Sequence, residues 1–164
     1  MSRKVKTKIF RTAVEPVLLY GSETRTLKKA ALNALDGVYT RMLRRVFNIS
    51  WKSHTPNSTL YGDIPPLTET IRQRRLRFAG HVHRLDDQPV QQLLFWQPNY
   101  GKRYQGRPHK IYPEVLCEDL GLDKRYPEEK ELQQSALRAL MEDRDKWRDA
   151  VARCSFRTSR SGPT

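Results

Sequence analysis

The sequence predicts a mostly α fold: an irregular multi-helix bundle, or bundles, with a basic connecting loop and a disordered C-terminal tail. Apolar residues recur at spacings of three and four along most of the 164 residues, whereas no alternating strand pattern survives beyond four residues. A composition of 37% hydrophobic and 30% charged residues limits the core to one compact domain or two small helical subdomains.

Taken in order, Val5, Ile9, Ala13, Val17 and Tyr20 mark one face of a first helix over 4–20. Pro16 kinks or restarts that helix and Gly21 stops it. Thr24 and Thr26 are candidate N-caps for a second helix over 27–47. Its buried stripe is Leu32, Leu35, Tyr39, Met42 or Leu43, and Val46, and Gly37 weakens it by about 1 kcal/mol relative to alanine. Residues 48–59 are turn-rich and include Trp51, Pro56 and Asn57, with a short helical turn at 58–61. Pro65-Pro66 opens a third helix over 67–84, with Leu67, Ile71, Phe78, Val82 and Leu85 as its apolar positions. Asp87 caps a shorter helix over 89–96, and 98–108 form a basic loop containing Gly and Pro. A helix over 109–120 ends at Gly121, and 127–153 are helical with one break. The segments that follow are 1–50, 51–100, 101–153 and a disordered tail over 154–164. The main seam lies near 101–108, where the charge balance changes.

The chain carries 31 Lys/Arg against 18 Asp/Glu, a net charge of +13. Residues 1–110 hold 21 basic and 7 acidic side chains, and residues 111–164 hold 10 and 11. An excess confined to two thirds of the chain points to a polyanion-binding surface; a generally basic surface protein is the plainer alternative. Binding to an acidic membrane fits less well, because no basic helix has a clean apolar opposite face. No apolar run reaches 18 residues, and no signal-peptide stretch follows Met1-Ser2-Arg3-Lys4. Cys117 and Cys154 read as free, reduced thiols, and the expected location is intracellular, in nucleus or cytoplasm.

Four segments occur in order: residues 10–24, FRTAVEPVLLYGSET; residues 43–51, LRRVFNISW; residues 74–84, RRLRFAGHVHR; and Gly106-Arg107-Pro108 paired with residues 143–148, DRDKWR. Together they resemble the thumb and post-palm region of non-LTR (LINE-type) retrotransposon endonuclease/reverse transcriptases. Arg25 stands where members of that family commonly have Trp. The resemblance implies a C-terminal fragment of an RNA-directed DNA polymerase whose fingers, palm and magnesium site lie outside these residues. It also gives the N-terminal cations Lys4, Lys8 and Arg11 a role, because the thumb grips the primer–template duplex in such enzymes.

Residue chemistry supports binding independently. Arg72, Arg74, Arg75 and Arg77 fall within six positions of one helix, where several can contact phosphates; a solvated helix face is the alternative. Tyr100, Lys102, Arg103 and Arg107 interleave aromatic and cationic groups in a loop, a pattern suited to unpaired bases, while Trp96 reads as core. Arg44 and Arg45 complete the candidate set. No catalytic residue and no metal site is expected in this chain, and no cofactor. Asp86-Asp87 lacks an apolar strand leading into it and reads as a helix cap. His81 and His83 point to different faces, and no zinc spacing joins them to a cysteine. Asp143-Arg144-Asp145-Lys146 is explained by local pairing such as Glu142 with Lys146, and Trp147 by core packing.

Two functions remain open at this point. One is a nucleic-acid-binding polymerase fragment contacting template RNA, single-stranded DNA or RNA–DNA hybrid, with no membrane partner. The other is a non-catalytic helical interaction module, domesticated or a relic. The polymerase palm or self-association would cover any apolar surface left on residues 1–50.

Overall fold

The computed structural model describes residues 1–86, 89–96, 111–122 and 127–154, with the backbone alone for 127–131. The described residues are helical, with no strand among them, as the apolar spacing predicts. Two compact units are present, Met1–Ile71 and Arg72–Ser155. The expected seam at 101–108 lies outside the described residues, as does the tail expected over 154–164 apart from Cys154, which closes the last helix.

The first unit begins with α1 (Arg3–Ile9), which Ser2 caps by accepting a hydrogen bond from the Val5 amide. A π-helical turn at Phe10–Val14 leads into α2 (Glu15–Leu18), which has Pro16 in its first turn. Proline has no amide to donate and its ring crowds the carbonyl four residues back, so the widened turn accommodates it within a continuous path. The face that turns inward differs from the one the spacing predicts, and it differs already before this turn. Val5, Ile9, Val17 and Tyr20 do not form the buried stripe expected of them; Val17 is 76% and Tyr20 82% exposed. Phe10 and Leu19 are buried instead, with Val14 and Leu18 packed beside them.

After a 3-10 turn at Ser22–Thr24 the chain enters α3 (Lys29–Phe47). Neither Thr24 nor Thr26 caps it: Lys28 occupies the cap position without a side-chain bond, and the Thr24 hydroxyl donates back to the Gly21 carbonyl. Tyr39 and Leu43 lie at the centre of the first core, which also buries Phe10, Leu60 and Ile71. Phe10, Tyr39 and Tyr61 pack in sequence as tilted pairs, with ring centroids 5.4 and 6.0 Å apart. The Tyr39 hydroxyl donates to the buried carboxylate of Glu15, which also accepts from Arg11 Nε at 3.3 Å. Burial and then this bond push the Tyr39 pKa strongly upward, so the phenol keeps its proton and remains a donor.

Two short elements complete the unit, a 3-10 turn at Trp51–Ser53 and α4 (Asn57–Tyr61). Arg3 ties α1 to α4: its guanidinium donates to the carbonyls of Thr59 and Leu60 at 3.2 and 2.6 Å and stacks over Phe47. Helix α5 (Leu67–His83) starts where Pro65-Pro66 predicts. Its first amides are held from α3, where Asp36 accepts from the Thr68 amide at 3.0 Å and the Thr68 hydroxyl at 2.6 Å.

The second unit contains the rest of α5, α6 (Pro89–Leu94), α7 (Tyr112–Asp119), α8 (Pro127–Glu142) and α9 (Arg144–Arg153). Leu76, Ala79 and Val82 of α5 pack with Leu116, Leu137, Met141 and Trp147. Gly121, at φ 73°, ends the α7 region: its amide bonds to the Glu118 carbonyl and the next amide to Cys117. The expected break in the last helical stretch falls at Asp143. Its carboxylate caps α9 by accepting from the amides of Asp145 and Lys146, both at 3.0 Å, and these bonds lower its pKa. Lys146 pairs with Asp143 at 3.1 Å, the contact that stands where pairing with Glu142 was expected. Trp147 is core, as expected, whereas Trp96 is 62% exposed. At the end of α6 it is Leu94, with Phe95 beside it, that turns inward.

Candidate nucleic-acid interface

Helix α3 ends at a residue that sends the chain back over its own last turn. Asn48 adopts a left-handed conformation, φ 57°, its amide bonding to the Arg45 carbonyl. The following amide, of Ile49, bonds to the Arg44 carbonyl at 2.8 Å. This is a Schellman closure with asparagine where glycine is commonest, and asparagine tolerates that backbone better than other side chains do. Ser50 then caps the 3-10 turn by accepting from the Lys52 amide, and the Ser53 hydroxyl bonds the Ser50 carbonyl at 2.6 Å.

The reversal opens a groove of about 940 Å³ between the C-terminal half of α3 and residues 48–51. Val38, Arg41, Met42 and Arg45 supply one wall. Their spacing of three, four and seven places them along one face of the helix. Asn48, Ile49, Ser50 and Trp51 supply the other wall, and Arg44 adjoins it. None of the described residues that line the groove is acidic. Trp51 is 75% exposed, an unusual position for so large an aromatic ring, and Lys52 Nζ lies 6.0 Å from its centre.

The predicted cations divide by role. Arg45 is exposed at the groove, whereas Arg44 is half-buried and braces the loop. It donates from Nη2 to the Thr55 carbonyl at 2.7 Å and to Asn57 Oδ1 at 3.2 Å, while Nη1 is enclosed without a partner. Lys4 and Lys8 are exposed on α1 and are not among the groove residues. Arg11 is half-exposed and ion-paired with Glu15 at 3.3 Å.

On α5, Arg74 and Arg77 are exposed, but Arg75 is 2% exposed and cannot present its charge to solvent. Its Nη1 meets Asp119 Oδ2 at 2.7 Å, and Arg72 Nε donates to the Asp119 carbonyl. Arg75 is thus corrected from a surface contact to a buried ion pair, and half-buried Arg72 is turned toward the same residue. Tyr100, Lys102, Arg103 and Arg107 lie outside the described residues, as does Asp87.

Arg41 and Trp51 are the groove residues that motif reading passed over as ligands. Helical spacing from Arg45 reaches Arg41, and Trp51 follows a helix-ending Asn in a polar stretch with no apolar periodicity. Those signals are local and were available, but nothing in the sequence says that the chain turns back there.

Among the described residues, no three His, Cys, Asp or Glu side chains gather as a metal-binding cluster, and no helix is long and apolar enough to cross a membrane. Over 125 residues the chain is 30% identical to a putative uncharacterized transposon-derived protein of Caenorhabditis elegans. The match covers 72% of this chain and 45% of that protein, so the chain spans less than half the relative's length. No family model matches the chain, and no solved structure does. The chain is therefore similar to a transposon-derived protein, and its helical fold carries a basic, aromatic-lipped groove.

Proposed function

We propose that this chain is a nucleic-acid-binding module from the thumb and post-palm region of a non-LTR retrotransposon reverse transcriptase. In this reading the polymerase carboxylates and their magnesium ions belong to a palm outside these 164 residues. The chain holds template RNA or target DNA and does no chemistry of its own. The observation that carries the proposal is the groove beside α3, which Arg41, Arg45 and Trp51 line with no acidic residue among the described lining. Arginine forks suit phosphates and the indole suits bases. The ordered resemblance of four segments and the similarity to a transposon-derived protein support the origin. Lys4, Lys8, Arg74 and Arg77 supply further phosphate contacts in the same reading.

A salt series tests this. The chain is expected to bind a single-stranded oligonucleotide with log K falling linearly in log salt. Replacing Arg41 and Arg45 together by alanine is expected to reduce the slope by about 1.4, at roughly 0.7 per lost phosphate contact on single strands. Anisotropy titrations from low to physiological salt measure both quantities. Absence of binding at low salt would end the proposal. It would leave a protein-interaction module, a reading favoured by the exposed apolar residues Val5, Ile9, Val17 and Tyr20.

A further inference from the structure

Resting on that reading, we infer that the groove is built for an unpaired strand: one base stacks on Trp51 while Arg41 and Arg45 hold the adjoining phosphates.

The lining is the first argument. Val38, Met42 and Ile49 give both walls of the groove apolar lining alongside its cations. A duplex presents phosphate, sugar and base edges outward and keeps its base faces stacked inside, so it offers no π-face to the indole. An unpaired nucleotide offers both parts at once, a flat π-face and a charged backbone. The volume of about 940 Å³ lies near the upper end of the roughly 300–1,000 Å³ usual for ligand clefts, which leaves room for a base and its flanking phosphates.

Preorganisation is the second argument. Trp51 is not on a loose loop. The Asn48 closure, the Ser50 cap and the two bonds from Arg44 to residues 55 and 57 hold its backbone in place before any ligand arrives. The ring nevertheless lies in solvent and contributes nothing to either core. An exposed indole on a held backbone, lining one groove with two arginines, has less backbone freedom to lose on stacking than one on a loose loop, which favours binding.

The test compares labelled oligo(dT), oligo(U) and a DNA duplex of equal length on the full chain, with Trp51→Ala and Trp51→Phe variants. Because Trp51 is outside the cores, neither change should alter thermal melting. The inference expects unpaired strands to bind more tightly than duplex. Trp51→Ala should weaken single-strand binding about 5- to 100-fold while changing duplex binding little, and Trp51→Phe should restore most of the loss. The two single-stranded arms identify whether RNA or DNA is held more tightly, and a loss in either supports the inference. Equal losses on single strand and duplex, or none on either, would overturn the inference while the binding proposal stands. Polyglutamate competing as well as oligo(dT) would also overturn it, by reducing the site to bare charge. Failure of every oligonucleotide to bind would overturn both.

Discussion

Replacing Gly80 by alanine is expected to destabilise the second unit by about 3 kcal/mol or more, although the change adds one methyl group. A Cβ at Gly80 would stand 2.9 Å from Trp147 Cε2 and nearer still to Nε1 and Cδ1. The indole cannot retreat freely, because it is 3% exposed and its Nε1 donates to the Leu76 carbonyl at 3.1 Å. The substitution therefore combines overpacking with the loss of a buried hydrogen bond. Chemical denaturation followed by near-ultraviolet circular dichroism reads the loss. Trp147→Ala alone should cost about 3–5 kcal/mol, and the double variant should cost clearly less than the two single losses together. Strict additivity would show that Gly80 and Trp147 do not meet as described.

The second large effect is expected at Asp119. Asp119→Ala leaves the Arg75 guanidinium charged and buried, with Nη1 newly unpaired beside Nε and Nη2, which already lack partners. Breaking such a pair on one side costs about 3–5 kcal/mol. Burial is the largest influence on Asp119 and raises its pKa against the pull of Arg75, so ionising it within the folded unit is itself costly. The pair consequently need not be a net source of stability over an apolar pair of similar volume. Combining Asp119→Leu with Arg75→Met should recover most of what Asp119→Ala loses, and thermal melting of both variants checks this. A single variant that melts with the wild type would contradict the burial of Arg75.

These two contacts show what was legible in the sequence. The periodicity of 67–84, the Pro65-Pro66 start and the Gly121 stop are local signals, and each marks a helix boundary close to the one observed. Two of the resembling segments, residues 74–84 and 143–148, meet through Gly80 and Trp147, a packing reason for the glycine that helical spacing alone does not supply. Along residues 4–20 the inward set Phe10, Val14 and Leu18 stands one position beyond Ile9, Ala13 and Val17; a spacing of four fits either set, and packing against the first core selects between them. Charge pattern predicts Arg75 as a surface cation because it does not reveal a buried carboxylate on a distant helix. The groove depended on a left-handed Asn48, which is common enough at helix ends to suggest a stop but not a direction.

Photo-crosslinking tests where the strand lies. A 4-thiouridine oligonucleotide is bound to the full chain at low salt, irradiated, and the adduct digested with trypsin. Cleavage after Arg45 and Lys52 releases residues 46–52, the peptide that carries Asn48, Ile49, Ser50 and Trp51. Binding in the groove predicts that this peptide carries the principal crosslink and that Trp51→Ala removes it. Crosslinks confined to other peptides, with 46–52 unmodified, would contradict the assignment of nucleic acid to this groove.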